Sequence, residues 1–258
     1  MNRTKAALVT GGAILLVALV VTLAARATVV SGIVGWWPFN DGSGITALDS
    51  SGMGNNGTLQ GSAFFTTDPQ RGAVLNVYGP SGEVDVPFSP SLQPATGTVM
   101  VWVKPTLAQT ADIVRQTTDL LVRSNQSGTF YAYCLRVNQN GSQVAIIAND
   151  DPKTNGKYPQ IVVQGPAKVK LNQWAHLAMR WDGSTLSLFL NGKLAGSSPY
   201  SAVPNLGLSY HGTAPMKVAA AIWDFNNGYL EYQGNLSDLQ IYGRALGDTE
   251  IYNVSAGK

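Results

Sequence analysis

Several residue types that build cross-linked or catalytic sites are scarce in this sequence. A single cysteine, Cys134, has no partner for an intrachain disulfide and makes a thiolate zinc site unexpected. We expect it to be a buried small hydrophobe on a strand. Glutamate occurs only at Glu83, Glu231 and Glu250, which weakens any hydrolase built on paired carboxylates.

Charge is also scarce, while turn-forming residues are abundant. Only 12% of the residues are charged and the formal net charge is +2, which indicates neither a nucleic-acid partner nor a polybasic membrane surface. The chain has 28 glycines and 13 prolines in 258 residues. This composition favours a turn-rich, all-β protein with room for one sandwich and an appendage.

The clearest strand pattern lies in Leu171–Gly196. Ala175, Leu177, Met179 and Trp181 alternate with residues of the opposite face, as a strand requires. The sequences DGS at 182–184 and NG at 191–192 predict tight turns, the second of type I′. We therefore expect two or three consecutive strands, placed at the middle of an antiparallel sheet.

Other segments extend this pattern. Residues 98–105 form a continuous apolar run of strand length, which indicates a central strand buried on both faces. The Asn140-Gly141 pair predicts a second type I′ hairpin. Short strands separated by turns at this spacing are typical of a sandwich or barrel.

The N-terminus differs in composition from the rest. After a short flank, residues 1–5, an uncharged segment of about 20 residues is long enough to cross a bilayer as a helix, and we assign 6–26 to a signal-anchor. The alternative is a cleaved signal peptide and a secreted product. The basic residues flanking the segment favour an N-in, C-out orientation. Residues 27–34 are a linker, a first strand, or a strand lent to a neighbouring subunit.

Five motifs follow one another along the chain: Gly35–Asp41 with Asp49–Thr58, Gly82–Leu92, Gly97–Pro105, Leu171–Gly192 and Gly234–Leu246. In this order they resemble the motifs of laminin-G-like domains in the concanavalin A-like lectin/glucanase superfamily. The resemblance covers residues 33–255 and implies an all-β, two-sheet antiparallel jelly-roll sandwich over 35–258, with the first and last strands adjacent. The hydrophobic segment predicts one N-terminal helix before this sandwich.

The resemblance further implies a structural calcium ion near the seam between the first and last strands. Calcium prefers six to eight oxygen ligands, and Asp49, Asn55 and Asp238 are the candidate residues. The sequence departs from the family at Ser237, where many members carry an acid. The alternative is that the three side chains only stabilise turns and local backbone.

Catalysis is not expected. Related glucanases use a strand with the pattern Glu-x-Asp-x-x-Glu. Glu83 and Asp85 match its first two positions, but Phe88 stands in place of the third acid. His176 and His211 have no adjacent serine or cysteine arrangement that indicates a triad. The protein is therefore predicted not to be an enzyme.

Aromatic residues near the C-terminus are candidates for ligand binding. Trp223, Phe225 and Tyr229 cluster between two predicted strands, and sugars stack on aromatic faces. These residues would equally well pack loops or line an interface. Five sequons predict glycosylation if the chain is exported to a compartment that modifies them, at Asn56, Asn125, Asn140, Asn235 and Asn253.

Two functional hypotheses remain. The first is a membrane-anchored cell-surface adhesion module that binds a glycan or a surface protein through its loops. The second is a structural subunit that self-assembles through its N-terminal segment into an extracellular filament, sheath or virion surface. A homo-oligomer or filament follows from the second hypothesis but not from the first.

Overall fold

A computed structural model describes residues 31–79, 81–117, 131–148, 160–202, 213–220, 222–224 and 228–257. The predicted flank 1–5 and hydrophobic segment 6–26 lie outside these ranges. The chain divides into two units, 1–31 and 32–258, and the described strands belong to the second. Within the described ranges, no helix has both the length and the apolar character required to cross a bilayer.

The second unit consists of short strands, two short 3-10 helices at Pro90–Leu92 and Tyr200–Ala202, and one C-terminal α-helix. In chain order the elements are β1 (Ile33–Trp37), β2 (Thr46–Ala47), β3 (Gly57–Gln60), β4 (Ala63–Asp68), β5 (Gly72–Val77), β6 (Glu83–Val86), β7 (Gly97–Pro105), β8 (Ala111–Thr117), β9 (Tyr131–Val137), β10 (Ser142–Ala148), β11 (Gln160–Lys168), β12 (Ala175–Trp181), β13 (Thr185–Leu190), β14 (Lys193–Pro199), β15 (Met216–Ala220), β16 (Ile222–Asp224), β17 (Gly228–Leu230), β18 (Gly234–Tyr242) and α1 (Asp248–Ser255).

The strands form two antiparallel sheets packed face to face. Sheet A has the order β14-β13-β12-β7-β18-β5-β4, with β1 also pairing with β18. Sheet B has the order β11-β10-β9-β8-β15-β6-β3-β2, and β16 and β17 pair separately as a two-stranded ribbon. The predicted two-sheet antiparallel sandwich is confirmed, and β1 lies beside β18 as the resemblance implied.

Alternation places one side of each strand in a shared core. Ala175, Leu177, Met179 and Trp181 of β12 all lie in this core, as their spacing predicted. The Trp181 ring stacks on Tyr133 of sheet B, with ring centroids 5.1 Å apart. A Cβ atom at Gly97 would lie 2.4 Å from the Trp181 ring, so the neighbouring strand needs glycine there.

The meander β12–β13–β14 is confirmed, together with both of its turns. Asp182 Oδ1 accepts hydrogen bonds from the backbone N–H groups of Ser184 and Thr185, at 2.8 and 2.7 Å. Asn191 and Gly192 both have positive φ, 50° and 73°, as a type I′ turn requires. However, the meander is not at the middle of its sheet, because β14 is the first strand in the order. The predicted central strand β7 lies between β12 and β18 instead.

The turn between β9 and β10 differs from the prediction. Gly141 has a φ of 82°, but Asn140 does not have positive φ, so the turn is not type I′. Asn138 and Ser142 close a longer loop, in which Gly141 N donates to Asn138 O at 2.8 Å. A three-residue loop with one left-handed glycine explains this geometry.

The two ends of the sandwich add detail to the prediction. β1 begins at Ile33 and pairs with β18 of the same chain, so residues 33 and 34 belong to a first strand, one of the three alternatives given for 27–34. Helix α1 was not predicted from the sequence. Its start is marked by Glu250, whose carboxylate accepts a 2.8 Å hydrogen bond from Gly247 N.

Candidate functional site

The predicted calcium residues meet at strand β1. Asp49 Oδ1 accepts hydrogen bonds from the backbone N–H groups of Trp36 and Ser51, each at 2.9 Å. Its second oxygen, Oδ2, accepts bonds from Ser51 Oγ at 2.9 Å and from Asn55 N at 2.8 Å. One carboxylate thus closes the loop that follows β1 and fixes that loop to the strand.

Asp238 reaches the same strand from the opposite end of the chain. The register between β18 and β7 shifts between Ser237 and Gln240, and Asp238 lies in this bulge with a φ of 54°. Bulges redirect a side chain. Here Asp238 Oδ1 accepts a 2.7 Å bond from Trp36 Nε1, and the amide of Gln240 donates to both carboxylate oxygens at 3.0 and 3.1 Å.

Asn55 completes the network with its side-chain N–H donors and its backbone carbonyl. Its Nδ2 donates to Val34 O at 2.8 Å and to Ser91 Oγ at 3.0 Å, and its backbone carbonyl accepts from Trp37 Nε1 at 2.9 Å. No group of three or more acidic, histidine or cysteine side chains suited to a metal occurs in the described residues. Protein N–H and O–H donors thus satisfy these carboxylates without an ion, and the calcium ion that the resemblance implied stays untested.

The Glu83–Asp85 pair on β6 faces a lysine. Lys217 Nζ of β15 lies 2.6 Å from both Glu83 Oε1 and Asp85 Oδ1. Burial opposes the charge on Lys217, but hydrogen bonds to the two carboxylates raise its pKa above the ordinary value. Both carboxylates of the partial glucanase pattern are thus held in ion pairs, and Phe88 offers no acid or base.

The predicted aromatic site falls on the β16–β17 ribbon. Trp223 and Tyr229 are register partners in this ribbon, so the structure brings their backbone positions together. Phe225 lies outside the described residues. The ribbon belongs to neither large sheet and joins β15 of sheet B to β18 of sheet A.

The sequons lie in different environments. Asn56 and Asn140 are exposed, and their side-chain oxygens accept backbone hydrogen bonds from Asp49 and Ser142. Asn253 is half-buried on α1. Asn235 is half-buried within β18 and accepts a hydrogen bond from Asn76. Asn125 lies outside the described residues, and glycosylation at all five stays a prediction.

Cys134 is buried, as predicted, within a charged cluster. Its thiol donates to Asp112 Oδ1 at 3.2 Å, and Arg136 Nε donates to the same oxygen at 2.7 Å. Burial, followed by the Asp112 charge, raises the pKa of the thiol well above its usual value. The thiol is therefore protonated and unreactive at neutral pH.

A second carboxylate network on sheet A was missed in the sequence. Asp68 Oδ2 accepts a 2.8 Å bond from Lys104 Nζ, and Oδ1 accepts from Trp174 Nε1 at 3.0 Å and from Gln70 N at 2.9 Å. Asn235 Nδ2 adds a longer contact of 3.4 Å to Oδ2. Burial opposes ionisation, but the Lys104 and Trp174 hydrogen bonds hold the pKa of Asp68 well below its usual range. No local spacing indicates this cluster, because its members come from separate strands.

Comparison with known proteins agrees with this architecture. A laminin G family profile, described as the concanavalin A-like lectin/glucanases superfamily, matches residues 78–252. Human usherin is 24% identical over 177 residues, which are 66% of this chain and 3% of usherin. The chain thus spans a small fraction of the length of that relative.

Two solved structures share the fold. The binding domain of Paraclostridial Mosquitocidal Protein 1 has a TM-score of 0.63 and 15% identity, covering 88% of this chain and 52% of that one. Domain 4 of AbnA, a GH43 extracellular arabinanase from Geobacillus stearothermophilus solved with arabinotriose, has a TM-score of 0.60 and 16% identity. The similarity extends over 87% of this chain and 98% of the arabinanase domain.

Proposed function

Because the chain belongs to the concanavalin A-like lectin/glucanases superfamily, we propose that it is a non-enzymatic module that binds a glycan or a surface protein. In this proposal residues 6–26 anchor it in a membrane, N-in and C-out, and the sandwich faces outward. A secreted form, without the anchor, would present the same module.

The observation that carries the proposal is the β16–β17 ribbon. Trp223 and Tyr229 are opposite each other on a segment outside both sheets, supported by a rigid sandwich. Binding residues are often placed on connecting segments positioned by such a scaffold. The toxin binding domain and the arabinotriose-bound domain show that this fold serves binding in other proteins.

The ion pairs of the two carboxylates on β6 also support a non-enzymatic function. Lys217 pairs with both Glu83 and Asp85, so neither resembles a free nucleophile beside a protonated acid. A retaining or inverting glycosidase needs two such carboxyl groups. The ion pairs therefore support a structural role for this strand.

The test is a glycan array probed with the full-length chain in detergent. We expect Trp223→Ala and Tyr229→Ala to lose the signals that the unchanged chain gives. Tyr252→Ala is the matched control, because Tyr252 is an aromatic residue 45% exposed and lies on α1, which follows the end of β18 opposite to the ribbon. No signal on the array, or signals that survive both ribbon substitutions, would contradict glycan binding by the ribbon. A surface protein captured by the unchanged chain alone would then identify the other ligand class.

A second candidate is a structural subunit of a filament, sheath or virion surface. The observation that favours it is β4, a six-residue strand at the end of the sheet A order that has only β5 as a partner in the described chain. An open strand edge is a template for pairing with another chain. Negative-stain images of the full-length chain would show regular assemblies, whereas monomers alone would exclude this candidate.

A further inference from the structure

The outer face of sheet A carries a cluster of aromatic and cationic side chains. Trp102 and Lys104 of β7 alternate with core valines and point away from the core. His176 of β12 is the register partner of Trp102, and the two rings meet edge to face with centroids 5.2 Å apart. Trp174 lies just before β12 and donates to Asp68.

Arg71 covers this cluster from the turn between β4 and β5. Its Cζ lies 4.2 Å from the Trp102 ring centroid and 5.4 Å from that of Trp174. The guanidinium is half-buried, and its Nε is buried with no hydrogen-bond partner. Within the described chain, no acceptor is bonded to any of its nitrogens, and the unpartnered Nε is unusual for a buried donor.

The nearby carboxylates do not pair with Arg71. Asp68 and Asp238 are close enough to act on it electrostatically, yet neither forms an ion pair with it. Asp68 is occupied by Lys104, Trp174 and Gln70. Asp238 is occupied by Trp36 and Gln240. Within the described residues, the protein therefore holds the Arg71 guanidinium over Trp102 and leaves its donors without an anion.

A second unpartnered polar atom belongs to His176, whose ring contacts Trp102. His176 Nδ1 is buried and has no hydrogen-bond partner in the part of the chain described. Two buried unpaired polar atoms beside one tryptophan are unusual in a folded protein and call for an explanation.

We propose that Arg71, held over the Trp102 ring, binds the carboxylate of an acidic saccharide at the outer face of sheet A. The planar guanidinium matches a carboxylate through two parallel N–H donors, a geometry that lysine does not offer. The adjacent row of the sheet carries the amides of Asn76 and Asn235, which are register partners. Asn76 is half-buried and uses only its Nδ2 within the described residues, so its amide oxygen is available to a sugar hydroxyl.

This site shares no residue with the β16–β17 ribbon, but it rests on the proposed outward-facing binding role. An acidic sugar fits the surroundings better than an acidic peptide does, because Asp68 and Asp238 flank the arginine and oppose a run of negative charges. A single carboxylate among neutral hydroxyls meets less of that repulsion. The ligand class is therefore a saccharide that bears isolated carboxylates, such as a partly methyl-esterified oligogalacturonide.

The test is isothermal titration of the full-length chain in detergent with this oligogalacturonide and with its fully esterified, neutral form. We expect binding of the acidic form only, and about tenfold weaker binding by Arg71→Lys, which keeps the charge but loses the planar fork. Arg180→Lys is the matched control. Arg180 also stacks on an aromatic ring, Phe189, at 5.0 Å, but its Nη1 is already bonded to Leu246 O and Asp248.

Four outcomes would overturn the inference: equal binding of both saccharides, unchanged affinity in Arg71→Lys, displacement by an equal concentration of inorganic sulfate, or no binding at all. The ribbon variant Trp223→Ala separates this inference from the proposed function. If it loses array signals and keeps oligogalacturonide affinity, both hold at separate sites. If the array signals depend on the ribbon and the oligogalacturonide does not bind, only the inference about Arg71 fails.

Discussion

The indole of Trp36 donates a 2.7 Å hydrogen bond to Asp238, a residue 202 positions later in the chain. The backbone N–H of the same tryptophan donates to Asp49. One residue of β1 thus joins the loop that follows it to the bulge of β18. Because the two strands are also register partners, Trp36 connects the first described strand to the last through both backbone and side chain.

We expect Trp36→Phe to lower the free energy of unfolding by about 1–2 kcal/mol. The substitution keeps an aromatic ring but removes the donor to a half-buried carboxylate, and a hydrogen bond to a charged group contributes roughly 1.5–3 kcal/mol. The Gln240 amide still serves Asp238 and limits the loss. Urea denaturation of both proteins measures the difference.

A double-mutant cycle with Asp238→Gly isolates this interaction, because glycine removes the acceptor that Trp36 uses. Glycine also adopts the positive φ of 54° at this position, so the substitution does not add backbone strain. We expect a coupling of about 1 kcal/mol between positions 36 and 238. Strictly additive effects would show that the hydrogen bond contributes nothing to stability.

The two Asn-Gly turns are expected to respond differently to alanine. Asn191 has a φ of 50°, and its Oδ1 accepts a 2.9 Å bond from His176 N. Asn191→Ala combines left-handed strain of roughly 1–2 kcal/mol with a lost hydrogen bond. Asn140→Ala loses only its bonds to Ser142, because Asn140 does not have positive φ. Equal losses of stability in the two variants would contradict the turn assignments.

His176 is expected to stay neutral in the folded protein down to acidic pH. Burial, followed by the charge of Arg71, lowers its pKa to about 3. The unfolded chain takes up a proton on His176 near pH 6.5, whereas the folded protein does not. The free energy of unfolding is therefore highest, with respect to this group, above pH 6.5 and decreases as the pH falls toward 3. We expect the free energy of unfolding to change with pH by at most about 1.4 kcal/mol per pH unit in this range because of His176, and this part of the change to be absent in His176→Asn. NMR of the imidazole ring checks this: its resonances should not shift with pH above about pH 4, which is roughly 1 unit above the folded pKa.

Local pattern was sufficient for much of the fold. The period of two in β12, the two turns of the meander and the apolar run of β7 each depend on neighbouring residues, and each was predicted. The order of strands was not, since the edge position of β14 depends on long-range pairing. Helix α1 was missed although Glu250, three residues after Gly247, is a recognised start signal.

The candidate sites also divide into those that local sequence pattern predicts and those that only long-range strand pairing creates. The sequence identified Asp49, Asn55 and Asp238, and the structure places all three in one network through β1. It did not identify Asp68 and Arg71, because their partners come from strands far apart in the chain. Asp68 and Asn235, for example, are separated by 167 residues. Only pairing of the strands brings such polar residues together.

Calcium dependence can be tested directly. Because N–H and O–H donors already occupy the oxygens of Asp49 and Asp238, we expect the melting temperature to change by less than about 1 °C between excess calcium and excess chelator. An ion that binds only the folded protein raises its stability in proportion to the logarithm of its concentration. A calcium-dependent rise of several degrees, removed by Asp238→Asn, would establish the site instead.

Two ion pairs of different burial should differ in their acid sensitivity. The Asp68 side chain is 2% exposed, and its pKa in the folded protein lies well below the usual 3.8. The contribution of ionised Asp68 to the free energy of unfolding is therefore complete above about pH 3.8 and is lost as the pH falls further. Asp68→Asn leaves the half-buried Lys104 without its carboxylate, and we expect a loss of about 2–4 kcal/mol at pH 7. Glu250 pairs with Arg244 at 37% exposure, and Glu250→Gln should cost less than about 1 kcal/mol. Denaturation at pH 7 and pH 3 measures both losses. A larger loss for Glu250→Gln would contradict the conclusion that the buried Asp68 pair contributes more to stability than the exposed Glu250 pair.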